Sequence, residues 1–215
     1  GIPMGLQYSI TAIGSIVLTT AVNGLGSVYV AAQTAAGRVS CFFCTVYDAL
    51  GSTMATYGGQ NVGAKKLGRL NKGLKCASLI GTIYSLAVFV IMFFYGRPFA
   101  ALFVSSAETE ILDAARLSLV IGTVFYVPLA FVNIVRFLFQ GMGYPMLAIF
   151  AGVFEMIGRI AAAVFLVPIF GFTGVCVASP IAWILADAFL FPAYFHVRKK
   201  TYQLYHRDPE GPDPE

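Results

Sequence analysis

Six ionisable side chains stand inside long apolar runs: Arg38, Asp48, Arg136, Glu155, Arg159 and Asp187. A charge in the hydrocarbon layer is costly and by default marks a substrate, ion or proton pathway. Glu155 and Arg159 are four residues apart with Glu first, so their side chains meet on one helix face. Two readings stand. The pair is either a structural ion pair turned to a bundle interior, tolerable only with further hydrogen bonds, or a cation or proton site whose pairing changes between two states. Asp187 has no partner nearby in sequence; such a carboxyl is protonated, paired across helices or facing water. Asp48 and Arg38 lie about 15 Å apart along a helix, too far to pair directly. Arg136, near the end of a span, reads as snorkelling to the interface. Gln7 and Asn133 add amides that glue helices together or touch a solute. The candidate substrate or cation site is therefore Glu155, Arg159, Asp187, Asp48, Asn133 and Gln7.

Enzyme chemistry finds no footing. There is no H-E-x-x-H, G-x-S-x-G or P-loop, and His196 and His206 fall at the end of the last apolar run and beyond it. Cys41 and Cys44 form a C-x-x-C inside an apolar run without a second ligand pair, so Cys41, Cys44, Cys76 and Cys176 read as small buried hydrophobes. No catalytic residue, resident metal or cofactor is expected.

The elements that hold these groups follow from composition. The 215 residues are 58% hydrophobic and 11% charged, against about 25% charge in soluble domains. So few charges cannot cover a water-soluble surface, which excludes a soluble domain, a disordered chain and a nucleic-acid binder. A spanning helix needs about 20 apolar residues. Breaks at Asn23–Ser27, Gly58–Lys66, 98–113, Gly141–Pro145 and Pro168–Gly171 predict six spans, at about 5–23, 28–57, 74–96, 115–139, 146–168 and 174–197. Pro128 falls inside the fourth. Residues 1–200 form one transmembrane unit, and 201–215 read as a disordered tail rich in acid and proline.

The net charge of +4 is a matter of topology. Lys65, Lys66, Arg69, Lys72 and Lys75 follow the second span, and Arg198, Lys199, Lys200 and Arg207 follow the sixth. An even number of spans separates the two patches, so the positive-inside rule puts both, and both chain ends, in the cytoplasm. The chain opens on an apolar segment without Met at position 1, as expected of a piece of a longer protein.

Several strings, in order, carry a resemblance. Met54–Lys66 contains Gly59-Gln60-Asn61-Val62-Gly63-Ala64-Lys65, which resembles the G-Q-N-x-G-A-x-K signature of multidrug and toxic compound extrusion (MATE) transporters. Gly1–Gln7 resembles the start of that family's seventh helix. Ala31-Ala32 with Gly37-Arg38-Val39 resembles the eighth, and Gln140–Gly143 the turn after the tenth. Glu155-x₃-Arg159 resembles a motif of the eleventh helix, and Pro180-Ile181-Ala182-Trp183 one of the twelfth.

The resemblance covers about 1–197. It implies an all-α membrane protein whose six helices form the C-terminal lobe of a twelve-helix, inverted-V antiporter, the N-terminal six-helix lobe lying outside this chain. It implies an inner or plasma membrane exporter of small cationic lipophilic compounds in exchange for Na⁺ or H⁺, with lipid as its surroundings and no nucleic-acid partner. Residues 5–23 and the region of Leu129 and Asn133 lack the coupling acids that some members hold there. The chain thus resembles members with the cation site in the other lobe, or couples through different residues. The aromatic residues, 14% of the chain, either line the cavity for cations or pack helices and face lipid. The alternatives are a lipid-linked oligosaccharide flippase of the same superfamily, which would want more free basic residues than Arg38, Arg136 and Arg159, and a half-size scaffold or dimerising half-transporter.

Overall fold

A computed structural model describes residues 1–206. Its elements are α1 (Ile2–Asn23), α2 (Ser27–Gly63), α3 (Gly68–Ala100), α4 (Thr109–Val124), α5 (Tyr126–Gly141), α6 (Pro145–Ala161), a π-helical turn (Ala162–Leu166), α7 (Val167–Phe170) and α8 (Phe172–His206). No strand occurs among the described residues. Four helical stretches, Ile2–Asn23, Gly68–Ala100, Pro145–Phe170 and Phe172–Leu204, are long and apolar enough to cross a bilayer, and α4 with α5 makes a fifth, bent by 54°. The remaining element, α2, has the length but is more polar. The chain is a multi-pass membrane protein of one helical unit.

The polarity of α2 is ordered. Thr34, Arg38, Cys41, Thr45, Asp48, Ser52 and Thr56 recur every three or four residues and are all exposed, so they form one stripe along the helix. Hydroxyls on this stripe hydrogen-bond back to their own helix: Thr34 Oγ1 donates to the Val30 carbonyl at 2.8 Å and Thr45 Oγ1 to that of Phe42 at 2.7 Å. The opposite face of α2 packs on α5; α1 packs on α6, α6 on α8, and α3 on α4 and α5.

The boundaries differ from the sequence reading in instructive ways. The glycines of 58–63 do not open a loop: α2 runs through them to Gly63, and α3 starts at Gly68 rather than 74. Among these residues, Asn61 donates to the Tyr57 carbonyl at 2.8 Å as an interior helix residue. In a membrane bundle small residues serve close helix approach. Gly141 shows the same logic from α5: a Cβ there would collide with the Ala55 carbonyl oxygen of α2. We expect Gly141→Ala to force α2 and α5 apart at a cost of about 1–3 kcal/mol, read as a lower melting temperature in detergent. A melting temperature equal to that of the native protein would show that the two helices are not held this close.

The fourth span is not one helix. It starts at Thr109 and breaks at Phe125, so Pro128 sits in the first turn of α5, where its missing N–H costs little. α3 continues through Pro98 to Ala100, and the helix after Pro145 does not stop at Pro168, because the π-helical turn carries it on to Phe170. Residues 201–206, read as part of a disordered tail, are helical: α8 runs on past Lys200, with Thr201 buried and bonded to the Val197 carbonyl. The rest of that tail reading falls on 207–215, outside the described residues.

Two turns at the same end of the bundle share one closure. After α2, Lys66 N–H donates to the Asn61 carbonyl at 2.8 Å and Lys65 N–H to that of Val62 at 3.1 Å, with Lys65 at φ 58°. After α5, Tyr144 N–H donates to the Phe139 carbonyl at 2.8 Å and Gly143 N–H to that of Gln140 at 3.2 Å, with Gly143 at φ 89°. Both are Schellman caps, built on a left-handed residue. This end also receives α8, where the Tyr194 hydroxyl and the Asn71 amide of α3 are hydrogen-bonded at 2.7 Å. We call it the near end, and the end with the α1–α2 and α3–α4 connections the far end.

Candidate functional site

The buried polar residues converge where α1, α5, α6 and α8 meet. On α5, Asn133, Arg136 and Gln140 share a face at intervals of three and four residues. On α6, Glu155 and Arg159 are one turn apart, and Gly152, one turn before Glu155, leaves room for Gln7 of α1 to lie alongside. Glu155 is 2% exposed and receives two guanidinium groups: Arg136 Nη2 donates to its Oε1 at 3.0 Å and Arg159 Nη1 to its Oε2 at 3.4 Å. The two bonds come from different helices, so Glu155 ties α5 to α6.

Gln7 completes the shell by bonding the Gln140 amide. Turned so that its oxygen faces Arg136, the Gln7 amide also accepts from Nε at 3.3 Å and Nη1 at 3.2 Å. That orientation requires the Gln140 amide to turn with it.

Asp187 of α8 lies beside this network, within electrostatic reach of Glu155 and Arg136. It is 9% exposed, and its Oδ1 is buried without a hydrogen-bond partner. Two guanidinium groups against Glu155 alone leave one positive charge in excess, and an ionised Asp187 brings the sum to zero. The arrangement thus holds one carboxylate that is fully engaged and one carboxyl that is not.

Of the candidates read from sequence, the structure brings Gln7, Glu155 and Arg159 into one network with Asp187 at its edge. Asn133 is buried one turn from Arg136 but makes no hydrogen bond to these groups among the described residues. Asp48 is set apart, exposed on the α2 stripe with Arg38. The signature residues Gly59, Gln60, Asn61, Gly63, Ala64 and Lys65 form the end of α2 and its cap, at the near end of the bundle. Arg136 corrects the snorkelling reading: it turns into the bundle, where it is buried and paired with Glu155. The cysteines differ in part from expectation: Cys176 is buried, but Cys41 and Cys76 are exposed and Cys44 is half-buried. Among the described residues no cluster of His, Cys, Asp and Glu has the make-up of a metal site.

A helical membrane unit that buries two arginines and two acidic side chains together has the composition of a transport protein. The comparisons agree. The MatE family model matches residues 3–165, and the chain belongs to that family, whose members are transporters. None of the curated proteins matches the sequence.

Among solved structures, the fold resembles MATE in complex with MaL6, with a TM-score of 0.87 and 20% identity over 94% of this chain and 46% of that one. It resembles the Vibrio cholerae MATE transporter VcmN in its bent form, with a TM-score of 0.85 and 18% identity over 94% of this chain and 46% of that one. A third match is a MOP superfamily transporter from Pyrococcus furiosus, where a reverse polarity of the binding pocket suggests a different function. There the TM-score is 0.80 and the identity 18%, over 92% of this chain and 44% of that one. The chain spans somewhat less than half the length of these structures, and it is one lobe of their fold.

Proposed function

We propose that this chain is the C-terminal lobe of a cation-coupled exporter. It moves lipophilic cationic compounds out of the cell against an inward flow of Na⁺ or H⁺, across an inner or plasma membrane with the near end in the cytoplasm. An N-terminal six-helix lobe completes the transporter, and the polar stripe of α2 faces the central passage rather than lipid. The observation that carries the reading is Asp187, a buried carboxyl with an unpartnered oxygen next to an ion-pair network that holds one positive charge in excess. A coupling ion shifts a conformational equilibrium only by its differential affinity for two states. Asp187 can gain and lose a cation without breaking an existing bond, whereas Glu155 already holds two guanidinium groups.

Two arginines tied to Glu155 are not available to line an anion passage. Arg38 is the basic residue left on the exposed α2 stripe, which weighs against a flippase for lipid-linked sugars. The test is efflux of a fluorescent lipophilic cation by the full-length protein in proteoliposomes, with an imposed Na⁺ gradient, an imposed pH gradient, or neither. Efflux driven by one of the gradients supports the proposal. Gradient-independent dye movement, or movement of a lipid-linked sugar alone, sinks it.

A further inference from the structure

A second polar space lies in the far half of the bundle and takes no part in the network just described. It is a cavity of about 180 Å³ between α2, α4, α5 and α8, opened where α4 and α5 part at Phe125. Its walls carry amide, hydroxyl, thiol and indole groups from Gln33, Ser40, Ser118, Cys176, Ser179 and Trp183, and no charged side chain. Ser118 donates to Gln33 Oε1 at 3.0 Å. The Gln33 amino group and the Trp183 indole N–H have no protein partner among the described residues. Unpaired donors inside a membrane protein cost several kcal/mol each unless water reaches them. A space of this size holds about six waters at about 30 Å³ each.

The cavity points at Asp187. Cys176, Ser179, Trp183 and Asp187 follow one another on α8 at intervals of three and four residues, so they share a face. Asp187 lies one turn, about 6 Å, closer to the near end than Trp183. The Trp183 ring packs at 6.0 Å from that of Tyr126 and touches both the near-end core and the aromatic core around Tyr47. It therefore stands between the cavity and the network.

We propose that this cavity is a hydrated antechamber that admits a monovalent cation, hydronium included, to Asp187, with the Trp183 indole as the partition between them. This rests on the role proposed above for Asp187. Neutral oxygens can replace part of a monovalent ion's water shell, and a wall without carboxylates gives no strong hold on a divalent ion. An ion that enters is thus passed on rather than trapped.

The native cysteines supply the test. The full-length protein in proteoliposomes is treated with a membrane-impermeant trimethylammonium methanethiosulfonate, and modified peptides are identified by mass spectrometry. Cys176 and Cys44, which line the cavity, are expected to react on a timescale comparable to exposed Cys41. In an Asp187→Cys variant, the new thiol should react slowly, and about tenfold or more faster when Trp183→Ala is added, as the open fraction rises by that factor. Cys176 left untouched after Cys41 is fully modified would overturn the hydrated cavity without any substitution being needed. An Asp187→Cys rate indifferent to Trp183→Ala would overturn the partition. Labelling does not require transport, so a failure of gradient-driven efflux leaves these outcomes readable on their own.

Discussion

Replacing Glu155 by Gln is expected to cost the protein about 3–5 kcal/mol, because it leaves two buried guanidinium groups without their counter-charge. The cause is the geometry of the site rather than the worth of an ion pair as such. Arg136 and Arg159 reach Glu155 from two helices at 3.0 and 3.4 Å, and a neutral amide can accept from one of them only by turning an N–H₂ toward the other. A large fall in melting temperature of the purified full-length protein in detergent checks this. Adding Arg136→Gln to Glu155→Gln should recover part of the loss, as expected of coupled neighbours. An unchanged melting temperature for Glu155→Gln would show that the network is not closed in the way described.

Asp187→Asn should behave in the opposite manner. The substitution keeps the shape, and the buried Oδ1 has no hydrogen bond to lose, so only its unbonded charge balance with the arginines is removed and the loss of stability stays within about 1 kcal/mol, well short of that for Glu155→Gln. Gradient-driven efflux, in contrast, should fall at least about tenfold, the equivalent of 1.4 kcal/mol of differential cation affinity. Facilitated movement of the dye down its own gradient should persist, since the passage itself is intact. Asp187→Asn that retained coupled efflux would remove Asp187 from the mechanism. Melting that fell as far as for Glu155→Gln would make it a structural partner of the arginines instead. The pair of variants separates a carboxylate that holds the lobe together from one that is free to work.

Much of this was legible in the sequence. The apolar runs located the helices, and the mid-span charges located the network, because both follow from the cost of polar groups in hydrocarbon. Gln7 and Arg159 were found this way. Arg136 was missed as a partner because depth along a helix was weighed and facing was not, although Asn133, Arg136 and Gln140 already marked a polar stripe on one face. Asp48 stands apart from that network for the complementary reason: its face of α2 turns away from this lobe's bundle, and its register with Thr34, Arg38 and Thr45 showed as much. Glycine was the other weak guide. The same residue type that ends a helix in water brings two helices together in a membrane, and only the partner across the interface, Ala55 for Gly141, decides which use is made of it.

The two Schellman-capped turns also distribute mechanical stiffness. At the near end they lock α2 to α3 and α5 to α6 with short, fully bonded corners. The irregular places lie away from it: the break at Phe125 midway along the α4–α5 span, and the π-turn at Ala162–Leu166 toward the far end. The lobe is thus built like a set of tines joined at the handle: bending is cheap where the cavity opens and expensive where the helices are tied.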